Sequence, residues 1–285
     1  MTLRKRRLPE GWYPLRAAEI QDFLTEFSGP RSGRAFAATA PHAGWRYSGK
    51  IAAAAASALD PSAETVVLIG GHLPEGAAPL FFEEDGAETP LGPLEIDRVF
   101  RDALRKELAQ DLSAPKPEKD RYQDNTIEVL LPIIAYFFPK SRIVPFRLPV
   151  SQASFEAGKA VSRIGTALRR KTVVLGSTDL THYGEVYGFT PHGLGRKALE
   201  WMKTVNDQAF IQAVLSGAPA AVLARAEQDR SACSAGAVLG ALGFAQAVGA
   251  DKSELLAYGT SADACNQREP PDTFVGYAAM AWHLP

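Results

Sequence analysis

The chain has 285 residues, 46% hydrophobic and 22% charged, the proportions of a soluble globular protein with a sizeable core. Its 31 Lys and Arg nearly cancel 32 Asp and Glu, so no molecule-wide field favours nucleic acid or an anionic membrane as partner. Two cysteines, Cys233 and Cys265, lack C-x-x-C spacing and are too few for a secreted disulfide scaffold, which points to a cytoplasmic thiol-bearing protein.

The basic start, MTLRKRRLPEGW, is followed by no apolar stretch of signal-peptide length, so no export signal is expected. The strand-like run RAFAATA leads through APHAGWRYSG, read as a tight turn, into the Ala-rich helical segment GKIAAAAASAL. ETVVLIGG then reads as a strand, SAPKPEKDRYQD as a long exposed loop, and DNTIEVLLPIIAYF as one helix with Asn125 and Glu128 at capping-box spacing. RIVPFRL, the amphipathic SFEAGKAVSRIGTALRR and KTVVLGS repeat the order strand, helix, strand. SAGAVLGALGFAQAVGA is an apolar helix too weak to span a bilayer, and SELLAYGTS and DTFVGYAAMAW are two strands suited to antiparallel pairing. This alternation predicts a single α/β domain over residues 1–285, three layers deep, with a central mixed, mostly parallel sheet.

Three strands deliver ionisable residues just past their C-terminal ends: His42, His72, and Asp179 with His182. In open α/β sheets ligands bind at that rim. Each histidine taken alone also fits a loop residue bonded to backbone. Gly70 and Gly71, directly before His72, let backbone come close to a ligand. Asp179 and His182 stand three apart, close enough for the carboxylate to orient a basic imidazole; Ser177 and Asp179 could instead be caps. Cys233 opens the Ala/Gly-rich helix, where a helix N-terminus favours the thiolate; an inert buried cysteine is the plainer alternative. Trp45, Arg46 and Tyr47 flank His42 and suit an aromatic or anionic ligand, or the covering of a helix end. His42, His72 and Cys233 would together offer two imidazoles and one anion, a set that suits Fe(II) with open positions, while the soft thiolate also admits zinc or copper.

GWYP, PHAGWRYSGKIAA, LIGGHLP, TPLGPLEID, NTIEVLLP, STDLTHYG, CSAG and TFVGYAAM run nearly end to end, and together they resemble the Memo family. Its prokaryotic members are called AmmeMemoRadiSam system protein B, and its fold is similar to the catalytic subunit of LigB-type extradiol dioxygenases. The resemblance implies a LigB-like domain, metal ligation by His42, His72 and Cys233, and His182 as the general base with Asp179 beside it. It further implies non-haem iron oxidoreductase chemistry, dioxygenase-like, on a small-molecule or peptide ligand, with a radical-SAM or AmmeMemo-type protein as partner. The chain departs from the family pattern at Asp124-Asn125-Thr126, at Gly70-Gly71-His72, and at Ser234-Ala235 after the cysteine. Two rival readings stand beside it: a non-catalytic binding protein on the same fold, and a metal-free hydrolase with Cys233 as nucleophile, His182 as base and Asp179 as orienter.

Overall fold

A computed structural model describes residues 1–27, 34–111, 114–265 and 271–285. Six strands form the body of its main sheet: β1 (Ala37–Ala40), β2 (Thr65–Leu73), β3 (Arg142–Pro149), β4 (Thr172–Ser177), β5 (Lys252–Thr260) and β6 (Phe274–His283). They lie in the order β5, β6, β1, β4, β2, β3, with β1, β4, β2 and β3 parallel and the C-terminal pair antiparallel. The two-residue strand His182–Tyr183 adds antiparallel to the start of β6.

Period-2 burial on these strands explains the layering. Val66, Leu68, Val173 and Leu175 point into one core, with the helix α1 (Trp45–Ala58) laid over it. Val67, Ile69 and Val174 point into the other, beneath α2 (Gln152–Ala167) and α3 (Ala235–Ala247). Both faces being covered, the strands read as nearly continuous apolar runs, as a buried parallel sheet requires. The expected mixed α/β sheet sandwiched by helices is the observed one.

Helices α2 and α3 touch backbone to backbone. A Cβ placed on Gly158 would sit 2.0 Å from the Gly240 carbonyl oxygen, so only glycine permits this approach. Among the described residues no helix is long and apolar enough to cross a membrane.

Three local expectations change. Trp45, Arg46 and Tyr47 are the first turn of α1, not part of a tight turn; Gly44 is its N-cap, and Gly49 lies within the helix because a Cβ there would strike Trp45 and Phe23. DNTIEVLLPIIAYF is two helices, Asn125–Glu128 and Leu131–Phe137, broken just before Pro132. Its capping box does not form: Asp124 caps the first helix, while Glu128 accepts hydrogen bonds from the backbone amides of Arg7 and Leu8 and so ties down the N-terminal segment. The supposed loop before it holds the short strand Glu118–Lys119 and a buried Asp120; Ser113 falls outside the described residues.

β1 and β4 end level with one another, Ala40 opposite Ser177, while β2, paired to β4 as far as Ile69 opposite Gly176, runs on to Leu73. From β1 the chain passes to α1 on one face, whereas β4 is entered from α2 on the other. The carboxyl ends of β1 and β4 thus lie where the direction of winding switches, the place at which open α/β sheets bind ligands.

The loop leaving β4 is held by Asp207, which is fully buried and accepts from Thr181 N (3.2 Å), Thr181 Oγ1 (2.5 Å) and the Tyr258 hydroxyl (2.8 Å). Burial pushes its carboxyl up to about 6, although hydrogen bonds from Thr181 and Tyr258 work the other way. The folded state therefore holds this proton more tightly than the unfolded chain, whose value is near 3.8. The associated stability is complete below that value and is lost as pH rises through about 6, roughly 3 kcal/mol at 1.36 kcal/mol per unit. Chemical denaturation of wild type and Asp207→Asn between pH 4 and pH 7 is expected to show this decline only in the wild type; parallel curves would refute it.

Candidate metal centre

His42 follows β1 and is 1% exposed. Its backbone amide donates to Asp179 Oδ1 at 2.7 Å, its carbonyl accepts from Asn125 Nδ2 at 2.9 Å, and its Nδ1 lies 2.8 Å from Ser177 Oγ. With Nδ1–H donating to Ser177, Nε2 is left as a lone pair, and it faces Cys233 Sγ at 3.3 Å. His72, one residue before the end of β2, has a left-handed conformation, φ 57°. Its Nδ1 meets Asp124 Oδ2 at 3.1 Å, and its ring stands edge-on to that of His42, centroids 4.8 Å apart.

One donor atom from each of His42, His72 and Cys233 can be chosen so that all three lie within 4.8 Å of one another. Each imidazole has its far nitrogen occupied, by a hydroxyl in one case and a carboxylate in the other, the arrangement that orients a metal-ligating histidine. Burial alone would raise the Cys233 thiol, but His42 and His72 overcome it and hold the thiol well below its usual range. The same attractions prevail over burial at both imidazoles: His42 is raised by Asp179 and Cys233, and His72 is raised to about 10 by Asp124 and Cys233. Two imidazoles and a favoured thiolate fit a metal ion that can displace protons.

A layer behind these residues was not singled out in the sequence. Arg147, buried in β3, makes paired hydrogen bonds to Asp120 (2.8 and 3.1 Å) and approaches Asp124 Oδ2 at 3.1 Å. The signal was there: a charge inside RIVPFRL, an otherwise apolar strand, demands a buried partner. Asp124, its pKa lowered to about 2, also takes hydrogen bonds from the amide and hydroxyl of Thr126. Gly70 and Gly71 serve this packing directly, since Cβ atoms there would lie 2.4 Å from Thr126 Oγ1 and 2.3 Å from Ser234 Cβ. Their small size lets protein side chains close on the strand, where the sequence suggested room for a ligand.

Asp179 does not orient His182. Its carboxylate serves the His42 amide and stands 3.9 Å from His42 Nε2, while His182 Nδ1 lies 3.1 Å from the Leu180 carbonyl. Tyr187 packs edge-on against the His182 ring at 4.9 Å. Arg230 fixes the Tyr187 loop by donating to the carbonyls of Tyr187 and Gly188.

Successive helical residues splay by about 100°, so Trp45, Arg46 and Tyr47 cannot share one face. Trp45 is buried against Tyr13 and Phe23 and donates to the Val129 carbonyl at 3.0 Å. Arg46 joins it in lining a different hollow, beneath the N-terminal segment. Tyr47 is exposed, its ring 5.8 Å from the Arg46 guanidinium.

The family profile described as Memo-like protein matches residues 4–281. The chain belongs to the Memo family. A MEMO1 family protein of Methanopyrus kandleri is 33% identical over 256 residues, covering 85% of this chain and 81% of that one. A second Memo relative, from Methanosarcina barkeri, is 30% identical over 280 residues, covering 94% and 96% of the two chains. Among solved structures, an uncharacterized protein of Escherichia coli K12 aligns over 85% of this Memo chain with 11% identity and a TM-score of 0.42.

Proposed function

We propose that this protein is a metal-dependent oxidoreductase whose ion is held by His42, His72 and Cys233. The convergence of those three donors carries the reading. Iron(II) in such a site would supply a redox-active Lewis acid with open positions for substrate and oxygen; zinc or copper would suit the thiolate as well. Around it the protein's own residues have separable tasks. Ser177 and Asp124 hold the two imidazoles, and the buried Asp179 fixes the backbone at His42. His182, with Nδ1–H given to the Leu180 carbonyl, keeps Nε2 as an acceptor that can take a proton from a substrate hydroxyl. Tyr187 and Tyr47 offer aromatic surface to a small organic substrate such as a vicinal diol, and a radical-SAM or AmmeMemo-type protein is the partner class we assign.

Elemental analysis of protein purified without oxygen, followed by oxygen uptake with catechols, tests the reading. Near-stoichiometric metal and diol-dependent uptake are expected. A folded protein that stays empty when iron, zinc and copper are offered would sink it.

A second reading has one specific observation in its favour, the 3.3 Å contact between Cys233 Sγ and His42 Nε2. This is hydrogen-bonding reach for a thiolate nucleophile and its base, with Ser177 as orienter. It gives the base role to His42 in place of His182. Labelling of Cys233 by an electrophile at a rate unchanged by chelators would favour it over the metal centre.

A further inference from the structure

The opposite, N-terminal edge of the sheet carries a cleft of about 790 Å³. Phe36, Phe244 and Val248 make its apolar wall, where the chain enters β1 and α3 ends. Arg34, Arg169, Arg170 and Lys171 supply its cations. Arg170 is engaged by Asp97 at 3.4 Å, but no ion pair is made by Arg34, Arg169 or Lys171 among the described residues. The opposing charge in the lining is Asp60, and one of its oxygens already accepts from the Ser62 amide at 2.8 Å.

Arg169 is also held at φ 53°, a left-handed conformation that L side chains other than Asn and Asp seldom adopt. The carbonyl end of α2 lies nearby and repels anions, but a helix end carries only about half a charge. Three full cations outweigh it together with Asp60 and with Glu64, whose carboxylate accepts from the Lys171 amide at 2.9 Å. The volume is that of a small-molecule site, and the pairing of an apolar wall with a cationic rim selects an amphipathic anion. Phosphoryl groups suit arginine best, because the guanidinium fork matches their oxygens.

We propose that this cleft binds an organic polyphosphate of nucleotide size, its phosphates on Arg34, Arg169 and Lys171 and its organic body on Phe36 and Val248. The site is separate from the metal centre, at the other end of the strands.

Calorimetric titration of the whole protein with ATP, inorganic pyrophosphate and adenosine, in buffer without added metal, tests it. Arg169→Gly suits the test because glycine accepts the backbone conformation, and it is combined with Arg34→Ala. ATP is expected to bind, to lose affinity with rising salt, and to bind at least about tenfold more weakly to the double variant. Pyrophosphate should bind more weakly than ATP, and adenosine weakest of all. The proposal is overturned if ATP does not bind at millimolar concentration, if the double variant binds it as well as wild type, or if pyrophosphate equals ATP. It is equally overturned if binding vanishes in Cys233→Ala and persists in the double variant, which would put the anion at the metal centre.

Discussion

Cys233→Ala is expected to fold as wild type does and to bind iron, zinc or copper at least about 100-fold more weakly. Losing a partner that merely orients a ligand costs about 10–100-fold in metal affinity, so losing a ligand must cost more. The fold should tolerate the change, because Cys233 is only half-buried and its polar neighbours have other bonds. Thr178 Oγ1 still donates to the Asp179 carbonyl and His42 still meets Ser177. Competition against a chromophoric chelator measures the affinity, and near-ultraviolet circular dichroism checks the fold. Wild-type affinity in a folded variant would remove Cys233 from the ligand set.

Arg147→Met is expected to lower stability by about 3–5 kcal/mol, the range for removing one partner of a buried ion pair. Both arginine and Asp120 have side chains no more than 5% exposed, and Asp124 shares the guanidinium. Methionine fills the space but takes the nearest cation from both carboxylates, leaving Asp120 with Arg4 at 3.7 Å and Asp124 with His72 at 3.1 Å. The cost should fall in Arg147→Met/Asp120→Asn, where one of those charges is gone. Urea unfolding of the three proteins gives the comparison; a single-variant loss below about 1 kcal/mol would show that the network is solvated and weak. Metal affinity should drop as well, since Asp124 would lose part of what positions it beside His72.

Much of the site could be read from position alone. His42, His72 and the Asp179–His182 run were visible as polar residues placed just beyond apolar strands, and the parallel sheet necessarily brings such ends to one rim. Cys233 was visible as a thiol at the start of an apolar helix. The pairing among them was not visible. Asp179 serves His42 across 137 positions, although His182 is three residues away in sequence. The turn that leaves β4 directs the Asp179 carboxylate back toward β1, and the Leu180 carbonyl takes the His182 nitrogen first. The two glycines before His72 were legible as a place of close approach, but what approaches is Ser234 and Thr126.

Local chemistry in the chain therefore determined the elements: alternation and β-branching made the strands, alanine-rich runs made the helices, and Pro132 broke one of them. Fold class followed, because strands apolar on both faces have no stable place except between two layers of helix. Tertiary structure alone decided which carboxylate holds which imidazole, that Arg147 stands behind His72, and that Trp45 belongs to the core while Tyr47 stays exposed. Hydrogen bonds and ion pairs act over about 3 Å, and residues more than 50 positions apart come within that range only after sheet register and helix packing are set.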